Sequence, residues 1–379
     1  MRVLILSCNT GEGHNSCAKA LKEVFESKGH QCVIEDSLRF ISRNTSNVIS
    51  KGHTFVYRNL PGLFRWGYRY AETHSEIYRK GTAVRKHFAS GQQKLADYID
   101  NGKFNIVICT HVFSGVILTD AKKKCCTSFK TAFVATDYTC SPTTEASSLD
   151  VYFIPDESIR KEYTDYGIPS EKLKASGIPV RQMFYRKNSF TSAKSTFGIA
   201  PDSRHILVMC GSMGCGPIEN LTNNIANRLD DNEEMTIVCG TNQKLFRRLK
   251  KLHNSNPNIH IRGYVKNISM LMDSADVFVT KPGGISVIEA KIKHKPMIFV
   301  DAVAGCEEYN LRFFTDRGCA LSGHSISELT EKCIFLLRDN DKLTSMSKSF
   351  SVFPYINSAE YICDYLAENS SAEVRNEKI

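Results

Sequence analysis

A chain of 379 residues is long enough for two domains of ordinary size, each with its own hydrophobic core. The composition, 42% hydrophobic and 23% charged, is that of a soluble globular protein, and no apolar run approaches the length of a membrane span. The 14 cysteines include no Cys-x-x-Cys pair, and many lie in apolar stretches. This pattern predicts reduced core cysteines, with no metal site and no disulfide framework.

The net charge of +9 is unevenly placed along the chain. Residues 1–187 hold 27 Lys and Arg against 18 Asp and Glu, whereas residues 188–379 hold 22 of each kind. Between Arg39 and Lys94 the count is 11 against 2, so this segment accounts for the excess of positive charge. It is also rich in aromatic residues, which suggests a surface that binds a partner.

The chain begins with an apolar run, Arg2–Ser7, which predicts a first β-strand and not a signal peptide. The loop that follows contains Gly11, Gly13 and His14 and opens a helix running to about Lys28. It is only weakly similar to a dinucleotide fingerprint, because the third glycine is missing. A histidine at this helix start would lie over the carboxyl edge of the sheet and could take a proton from a substrate hydroxyl. The alternative is that it only caps the helix.

Residues 39–94 show no strand alternation and predict helices interrupted near Asn59, Pro61 and Gly62. Cationic and aromatic side chains together suit either nucleic acid or an anionic membrane. No nucleic-acid-binding motif accompanies them, which favours the membrane. Some of the rings must also pack inward. The residues assigned to the membrane surface are Arg58, Phe64, Arg65, Trp66 and Arg69.

The α/β pattern resumes with a strand at 104–109, a helix at 112–124 and strands at 130–135 and 151–154. His111 and Asp137 then fall at strand carboxyl ends, on the same sheet edge as His14. Three titratable groups at one edge predict a catalytic site, although each alone could be structural. The segment Ala175–Arg181 closes the first domain, and the polar run Arg186–Lys194 suggests a linker.

A second glycine-rich turn, Gly211–Gly214, follows the strand predicted at 205–210. Further strands are predicted at 235–240, 259–263 and 276–280, and the turn at the end of the second of these, formed by Arg262, Gly263, Tyr264 and Val265, suits backbone contacts to a flat base. A last helix is expected at 359–368, before a loose polar tail.

The stretch from Asp276 to Val300 predicts a strand, turn, helix and strand of a parallel sheet. Its turn contains Pro282, Gly283 and Gly284, so backbone N–H groups can approach an anion closely. The helix start adds unpaired donors and partial positive charge, which suit a diphosphate. Glu289 in the same helix is placed to accept hydrogen bonds from ribose hydroxyls. Alternatively, the glycines form only a tight turn.

The motifs in this order resemble one family. They are the GxGH loop, TDYxCxP, SGIPV, GSMG, KPGGxSxxEA and GCExxN, and they span about residues 1–365. Together they are similar to the diacylglycerol glycosyltransferases of glycosyltransferase family 28, which include monogalactosyldiacylglycerol synthase and the processive diacylglycerol glucosyltransferases. The resemblance implies a GT-B fold, α/β, with two Rossmann-like domains whose parallel sheets face each other across a cleft.

The resemblance also implies an inverting transfer of a hexose from a UDP-sugar to a lipid hydroxyl. His14 would be the base, with Asp137 and His111 near the acceptor and with Gly11 and Gly13 in its loop. Donor-binding residues implied for the second domain are Gly211, Ser212, Met213 and Gly214 with Pro282, Gly283, Gly284 and Ser286 for the diphosphate, Arg262, Tyr264 and Val265 for uracil, Glu289 for ribose, and Glu307 and Asn310 for the sugar.

Two positions depart from the family pattern. Many relatives have Gln where Cys306 stands, so the identity of the sugar is open, because a thiol cannot replace an amide's donor and acceptor. Many also have His where this chain has Cys140, Ser141 and Pro142, so more of the acceptor chemistry falls on His14.

We therefore expect an acceptor domain at 1–187, a UDP-sugar domain at 195–355, a helix at 356–368 returning to the first domain, and a flexible tail at 369–379. The expected partners are a UDP-sugar, a diacylglycerol-type lipid and the anionic cytoplasmic face of the membrane, with no nucleic acid and no cofactor. Alternatives are a UDP-GlcNAc-dependent transferase with another lipid acceptor, a UDP-sugar epimerase, and a non-catalytic UDP-sugar sensor.

Overall fold

The computed structural model describes the backbone of residues 1–9, 11–42, 44–46, 48–49, 52, 55–56, 60–74, 81–211, 216–300 and 305–376. Side chains are described for the same residues except at positions 61, 64, 65, 71, 72, 84 and 371–376. These residues form two units, each with one parallel six-stranded sheet. The predicted α/β class with two Rossmann-like domains is confirmed.

The strands of the first unit are β1 (Arg2–Ser7), β2 (Gln31–Asp36), β3 (Ile106–Cys109), β4 (Lys130–Val134), β5 (Val151–Ile154) and β6 (Leu173–Ala175). Their order in the sheet is β2-β1-β3-β4-β5-β6. Both faces of the sheet are covered, so its inner strands are continuous apolar runs, and β3 and β5 are buried at every position. The strand order reverses between β1 and β3, which is where open α/β sheets bind ligands.

The helices of the first unit connect these strands and cover the sheet. The apolar residues of the first one recur every three or four positions, so that Cys17, Leu21 and Val24 face the core. The helices are α1 (Glu12–Ser27), α2 (Leu38–Ile41), α3 (Pro61–Thr73), α4 (Ala83–Ala89), α5 (Gln92–Gly102), α6 (Val112–Lys122) and α7 (Arg160–Asp165).

The second unit repeats this plan with β7 (Arg204–Met209), β8 (Glu233–Val238), β9 (Ile259–Arg262), β10 (Val277–Thr280), β11 (Met297–Phe299) and β12 (Ala320–Ser322). The order is β12-β11-β10-β7-β8-β9, so the reversal lies between β7 and β10. Its helices are α8 (Phe190–Phe197), α9 (Ile218–Ala226), α10 (Gln243–Leu252), α11 (Ile268–Asp273), α12 (Gly284–Ile292), α13 (Cys306–Thr315), α14 (Ile326–Arg338) and α15 (Asn340–Ser349).

The last helix, α16 (Ser358–Asn376), belongs to the first unit. It packs on α1, where Lys28 forms an ion pair with Asp364. Its Tyr365 ring meets the Phe153 ring edge-on at 5.5 Å between centroids. The described C-terminal residues therefore complete the fold of the first unit.

Three features differ from the sequence-based expectation. The predicted linker at 186–194 contains the start of α8, and the units divide between Gln182 and Met183 rather than near 187. The last helix continues to Asn376, through most of the segment predicted as a loose tail. The strands β6 and β12 were not predicted, because three residues are too few to show a periodic pattern.

The turn that receives the start of α16 supplies a test of this packing. Gly177 has φ +77, and a Cβ there would lie 2.5 Å from Ser358 Oγ. We expect Gly177→Ala to lose about 1–2 kcal/mol of unfolding free energy to the left-handed backbone and a further ~1–3 kcal/mol to crowding. Urea unfolding monitored by circular dichroism measures the loss.

Gly167→Ala is the matched control, because Gly167 has φ +83 but no atom lies within 4 Å of the added Cβ. It should show only the backbone part of the loss. Adding Ser358→Ala to Gly177→Ala should recover the crowding part. Equal losses for the two glycine variants would show that α16 does not pack tightly at Gly177.

Candidate functional site

His14 lies at the switch point of the first sheet, in the first turn of α1 after β1. Its Nδ1 is 2.7 Å from the carbonyl oxygen of Thr110, which follows β3. A carbonyl oxygen can only accept, so Nδ1 carries a proton and donates it. In the neutral ring Nε2 then presents its lone pair, as a general base requires.

The pKa of His14 is lowered from its ordinary value by burial, which is the largest effect. The negative charge of Asp137 and the hydrogen bond to Thr110 act in the opposite direction and raise the pKa. The Thr136 hydroxyl lies 3.2 Å from His14 Nδ1 and donates to Asp137 Oδ2 at 3.3 Å. The imidazole is therefore held neutral at pH 7, with a carboxylate close enough to stabilise its protonated form.

His111 lies next to this group and is the N-cap of α6. Its Nδ1 accepts from the backbone N–H of Phe113 at 3.1 Å, so Nε2 carries the proton in the neutral ring. The rings of His14 and His111 meet edge-on with centroids 4.5 Å apart. The structure thus brings together His14, His111 and the Thr136–Asp137 pair, while their catalytic roles remain predictions.

The glycines of the first loop leave the start of α1 uncovered. Gly11 is the N-cap with extended backbone and, as a glycine, has no side chain that could cap the helix. A Cβ at Gly11 would meet no atom within 4 Å, so close packing does not explain this glycine. Gly13 is partly exposed in the first turn. Open N–H groups at this position can approach a polar substrate.

In the second unit, two predicted turns leave neighbouring strands at the switch point. Met209 of β7 pairs with Thr280 of β10, so Gly211 and Pro282 lie at the same carboxyl edge. Gly211 has φ +69, a conformation that favours glycine. Gly283 is the N-cap of α12 and, as a glycine, has no side chain that could cap the helix, so the first N–H groups can face an anion. Ser212, Met213 and Gly214 lie outside the described residues.

Asn310 is fully buried, and its Nδ2 donates to the carbonyl oxygen of Pro282 at 2.9 Å. The amide donor thus holds the turn in place, and the expected contact of Asn310 with a sugar hydroxyl stays a prediction. Asn310 is therefore a positioning residue for the Pro282–Gly284 turn. Glu307, one turn earlier on α13, lies beside Gly283, with Oε1 4.0 Å from where a Cβ would be. A carboxylate at this distance from the turn can reach a hydroxyl of a ligand bound there.

Three further predicted donor residues are partly or largely exposed. Glu289 and Ser286 lie partly exposed on α12, and Tyr264 is 71% exposed beyond β9. The β9 strand lies two positions from β7, about 10 Å along the sheet edge. The side chain of Arg262 points inward, where its guanidinium donates to the Phe197 carbonyl oxygen at 2.7 Å. The turn around Gly263 and Val265 therefore leaves backbone groups for a base.

Of the membrane-assigned residues, Arg58 and the side chains of Phe64 and Arg65 lie outside the described residues. Trp66 is 64% exposed on α3, and Arg69 is exposed. The Trp66 ring stacks on Tyr70 at 5.5 Å, and Tyr70 stacks on His74 at 4.1 Å. These rings form an exposed row along one helix face. Other rings of the segment pack inward, as Phe88 does.

Sequence reasoning missed the groups that orient the imidazole, Thr110 and Thr136. In the sequence, each of these threonines directly follows a predicted buried strand, 104–109 or 130–135, and directly precedes a predicted catalytic residue, which is the signal that could have identified them. Among the described residues, no helix is long and apolar enough to cross a bilayer, and no group of three or more His, Cys, Asp or Glu is arranged to hold a metal.

Comparison with solved structures shows the fold. Acinetobacter baumannii MurG superimposes with a TM-score of 0.65 at 14% identity, covering 97% of this chain and 99% of that chain. The UDP-GlcNAc 2-epimerase from Neisseria meningitidis bound to UDP-GlcNAc gives 0.62 at 14% identity, covering 97% and 100%. The spinosyn rhamnosyltransferase SpnG complexed with thymidine diphosphate gives 0.61 at 13% identity, covering 95% and 98%. At these identities the likeness shows the GT-B fold alone.

Curated relatives span the whole chain. The processive diacylglycerol beta-glucosyltransferase of Bacillus subtilis (strain 168) is 27% identical over 380 residues, covering 100% of this chain and 97% of its own. The protein of the same name from Bacillus cereus (strain G9842) is 29% identical over 383 residues, covering 99% and 95%.

These relatives and the family matches, together with the GT-B fold, identify the chain as an enzyme of the glycosyltransferase class. Residues 14–180 match the monogalactosyldiacylglycerol (MGDG) synthase family, and residues 205–359 match the glycosyltransferase family 28 C-terminal domain. The chain belongs to this diacylglycerol glycosyltransferase family. The resemblance predicted from the motifs is confirmed.

Because the charge of Asp137 raises the pKa of His14, removing that charge is expected to lower this pKa. In Asp137→Asn the carboxylate no longer raises that pKa, whereas burial still lowers it. We expect the pKa of His14 to fall further below 6.5, which an NMR titration of the imidazole Cε1–H signal measures. Asp165→Asn is the control, because the exposed Asp165 pairs with Lys161. An unchanged His14 titration in Asp137→Asn would contradict the electrostatic coupling.

Proposed function

We propose that this protein transfers a hexose, with inversion, from a UDP-sugar to the hydroxyl of diacylglycerol or of a glycosylated diacylglycerol at the cytoplasmic membrane surface. The observation that carries the proposal is the neutral His14 imidazole at the β1/β3 switch point, with its Nε2 lone pair presented. The names of the curated relatives support the lipid acceptor and make glucose the first sugar to test.

In the proposed reaction, His14 Nε2 takes the proton of the acceptor hydroxyl. The hydroxyl oxygen forms a bond to the anomeric carbon as the bond from that carbon to the diphosphate oxygen breaks. UDP leaves with the bonding electron pair. This single displacement inverts the configuration at the anomeric carbon. The charge of Asp137 stabilises the imidazolium while it exists.

The leaving diphosphate gains negative charge as the sugar bond breaks. The uncapped start of α12 and the turn at Gly211 are proposed to offset this charge with backbone N–H groups. Glu289 is proposed to bind the ribose hydroxyls and Glu307 a sugar hydroxyl. Asn310 supports them indirectly, since it fixes the Pro282 carbonyl.

The lipid acceptor stays in a bilayer, so the enzyme must reach the membrane surface. The exposed Trp66 and Tyr70 rings support an interfacial role for α3, because such rings lie at the headgroup level of membranes. The excess of Lys and Arg between residues 39 and 94 adds attraction to anionic lipid, about 1 kcal/mol for each cation near the surface.

The identity of the reaction is tested by mass spectrometry of lipid extracts. The protein is incubated with a panel of UDP-sugars and anionic vesicles that contain diacylglycerol. A hexosyl-diacylglycerol product supports the proposal. UDP-sugar binding without a lipid product would favour the sensor, and product only from UDP-GlcNAc with another lipid would favour the alternative transferase.

For His14→Ala we expect transfer to fall by roughly 10²- to 10⁴-fold, the usual contribution of a positioned base. UDP binding, measured by calorimetry, should be retained. His87→Ala is the control, since His87 is an exposed histidine on α4. A His14→Ala enzyme with unchanged turnover would remove His14 from the role of base.

Membrane binding is tested by sedimentation with vesicles. We expect binding to anionic vesicles to weaken as salt rises from about 0.1 M to 1 M, because the Debye length falls from about 10 Å to 3 Å. Trp66→Ser should weaken binding at every salt concentration. Tyr355→Ser is the control, because Tyr355 is an exposed ring, 73% accessible, in the second unit. Equal binding to neutral and anionic vesicles would argue against an electrostatic contribution to membrane binding.

A further inference from the structure

In the loop between β4 and β5, Thr143 and Glu145 have buried polar atoms without hydrogen-bond partners among the described residues. Both carboxylate oxygens of Glu145 and the hydroxyl of Thr143 are inaccessible, and none has a partner among the described residues. Buried polar atoms are nearly always paired, and a buried carboxylate without a partner costs several kcal/mol. Such groups therefore call for a functional explanation.

The loop is held in place from both ends. Glu162 Oε1 accepts from the Thr139 hydroxyl at 2.5 Å and from the Cys140 N–H at 2.9 Å. At the other end, the Ser147 hydroxyl donates to the Thr144 carbonyl oxygen at 2.6 Å. The side chains without partners thus lie on a preorganised loop, as a binding site requires.

Thr143 adds backbone strain to this loop. Its φ is +83, which is unfavourable for a β-branched residue, and its side chain is only 2% exposed. Strain of this kind costs about 1–3 kcal/mol and persists mainly at functional sites. The strain and the two polar groups without partners occur within three residues of each other.

Glu145 has no ion pair in the described part of the chain. The nearby Arg85 pairs with Asp120 at 2.8 Å and donates to the Ala146 carbonyl oxygen at 3.2 Å, and its buried Nε has no hydrogen-bond partner among the described residues, so it makes no bond to Glu145. A structural salt bridge therefore does not account for the buried carboxylate.

A chain of contacts connects this loop to the His14 site. Arg85, which holds the loop, is on α4 together with Phe88. The Phe88 ring lies 4.8 Å from Phe113, and Phe113 lies 4.8 Å from His111. His111 contacts His14. The loop and the proposed base therefore belong to one contiguous part of the first unit.

We infer that Thr143 and Glu145 bind the hydroxyl groups of a hexose headgroup on a glycolipid acceptor. A carboxylate accepts hydrogen bonds at both oxygens, and adjacent sugar hydroxyls donate two nearly parallel ones. Diacylglycerol has one free hydroxyl, which is needed for reaction, so it cannot satisfy these groups. A hexosyl-diacylglycerol has further hydroxyls that can. The inference rests on the proposed function. It assigns the binding of the second proposed acceptor, the glycosylated diacylglycerol, to this loop.

The first test compares the two acceptors. With hexosyl-diacylglycerol, Glu145→Gln should lower kcat/KM by roughly 10- to 100-fold, the effect of losing a hydrogen bond to a charged group. With diacylglycerol it should change by less than about 3-fold, since that lipid makes no such bond. Glu157→Gln is the matched control, because Glu157 is an exposed carboxylate of the same unit paired with Arg160. Equal losses with both acceptors would overturn the inference.

The second test does not depend on turnover. Binding of octyl β-D-glucopyranoside and of 1-O-octylglycerol, both below micelle formation, is measured by saturation-transfer NMR. The wild-type protein should bind the glucoside, and Glu145→Gln and Thr143→Ala should weaken that binding at least about 10-fold, without weakening octylglycerol binding. No glucoside binding by the wild type would overturn the inference. If the wild-type protein binds the glucoside but transfers no sugar from any UDP-sugar, the proposed function is wrong, whereas the sugar-binding site at Thr143 and Glu145 is supported.

Discussion

The hydrogen bond from His14 Nδ1 to the carbonyl oxygen of Thr110 is the contact on which the proposed acceptor chemistry depends. It fixes which nitrogen carries the proton, and so which one has the lone pair. The Thr110 N–H in turn donates to the Leu6 carbonyl oxygen at 3.1 Å, which extends the pairing of β3 with β1 by one step. The acceptor of the imidazole proton is therefore fixed by the sheet itself. A base oriented in this way needs little rearrangement before reaction.

The second unit orients its site by the same device, a side chain bonded to a backbone carbonyl beyond a strand end. Asn310 donates to the Pro282 carbonyl oxygen and holds the turn from which α12 begins. Both sites therefore lie just past the carboxyl ends of the two strands where the order of the sheet reverses. At that point neighbouring connections leave in opposite directions and a crevice opens between them. The fold forms the crevice in each unit, and a hydrogen bond from a side chain to a backbone carbonyl orients the groups that lie in it.

Much of this arrangement could be predicted from the sequence, because buried parallel strands are continuous apolar runs. The bounds of β1 and β5 agree with prediction to the residue. Residues that follow such strands must lie at the carboxyl edge, which is why His14, His111 and Asp137 could be grouped. The partners of these residues could not be predicted, because Thr110 lies 96 positions from His14 and no periodicity connects them. The contact of Asn310 with Pro282 could not be predicted for the same reason, since burial of its amide depends on tertiary packing.

The loop after β4 shows how a departure from the family pattern changes the chemistry of a site. Near Cys140, where the family resemblance implied a histidine, this chain has a thiol that is 2% exposed. Burial raises the pKa of Cys140, so the thiol stays protonated at neutral pH and supplies neither a base nor a charge. The acidic residue of this loop is Glu145, five residues later. Its two carboxyl oxygens can accept hydrogen bonds from paired hydroxyls. In the proposed reaction, proton transfer therefore stays with His14, while the loop contains the group that we propose holds a sugar.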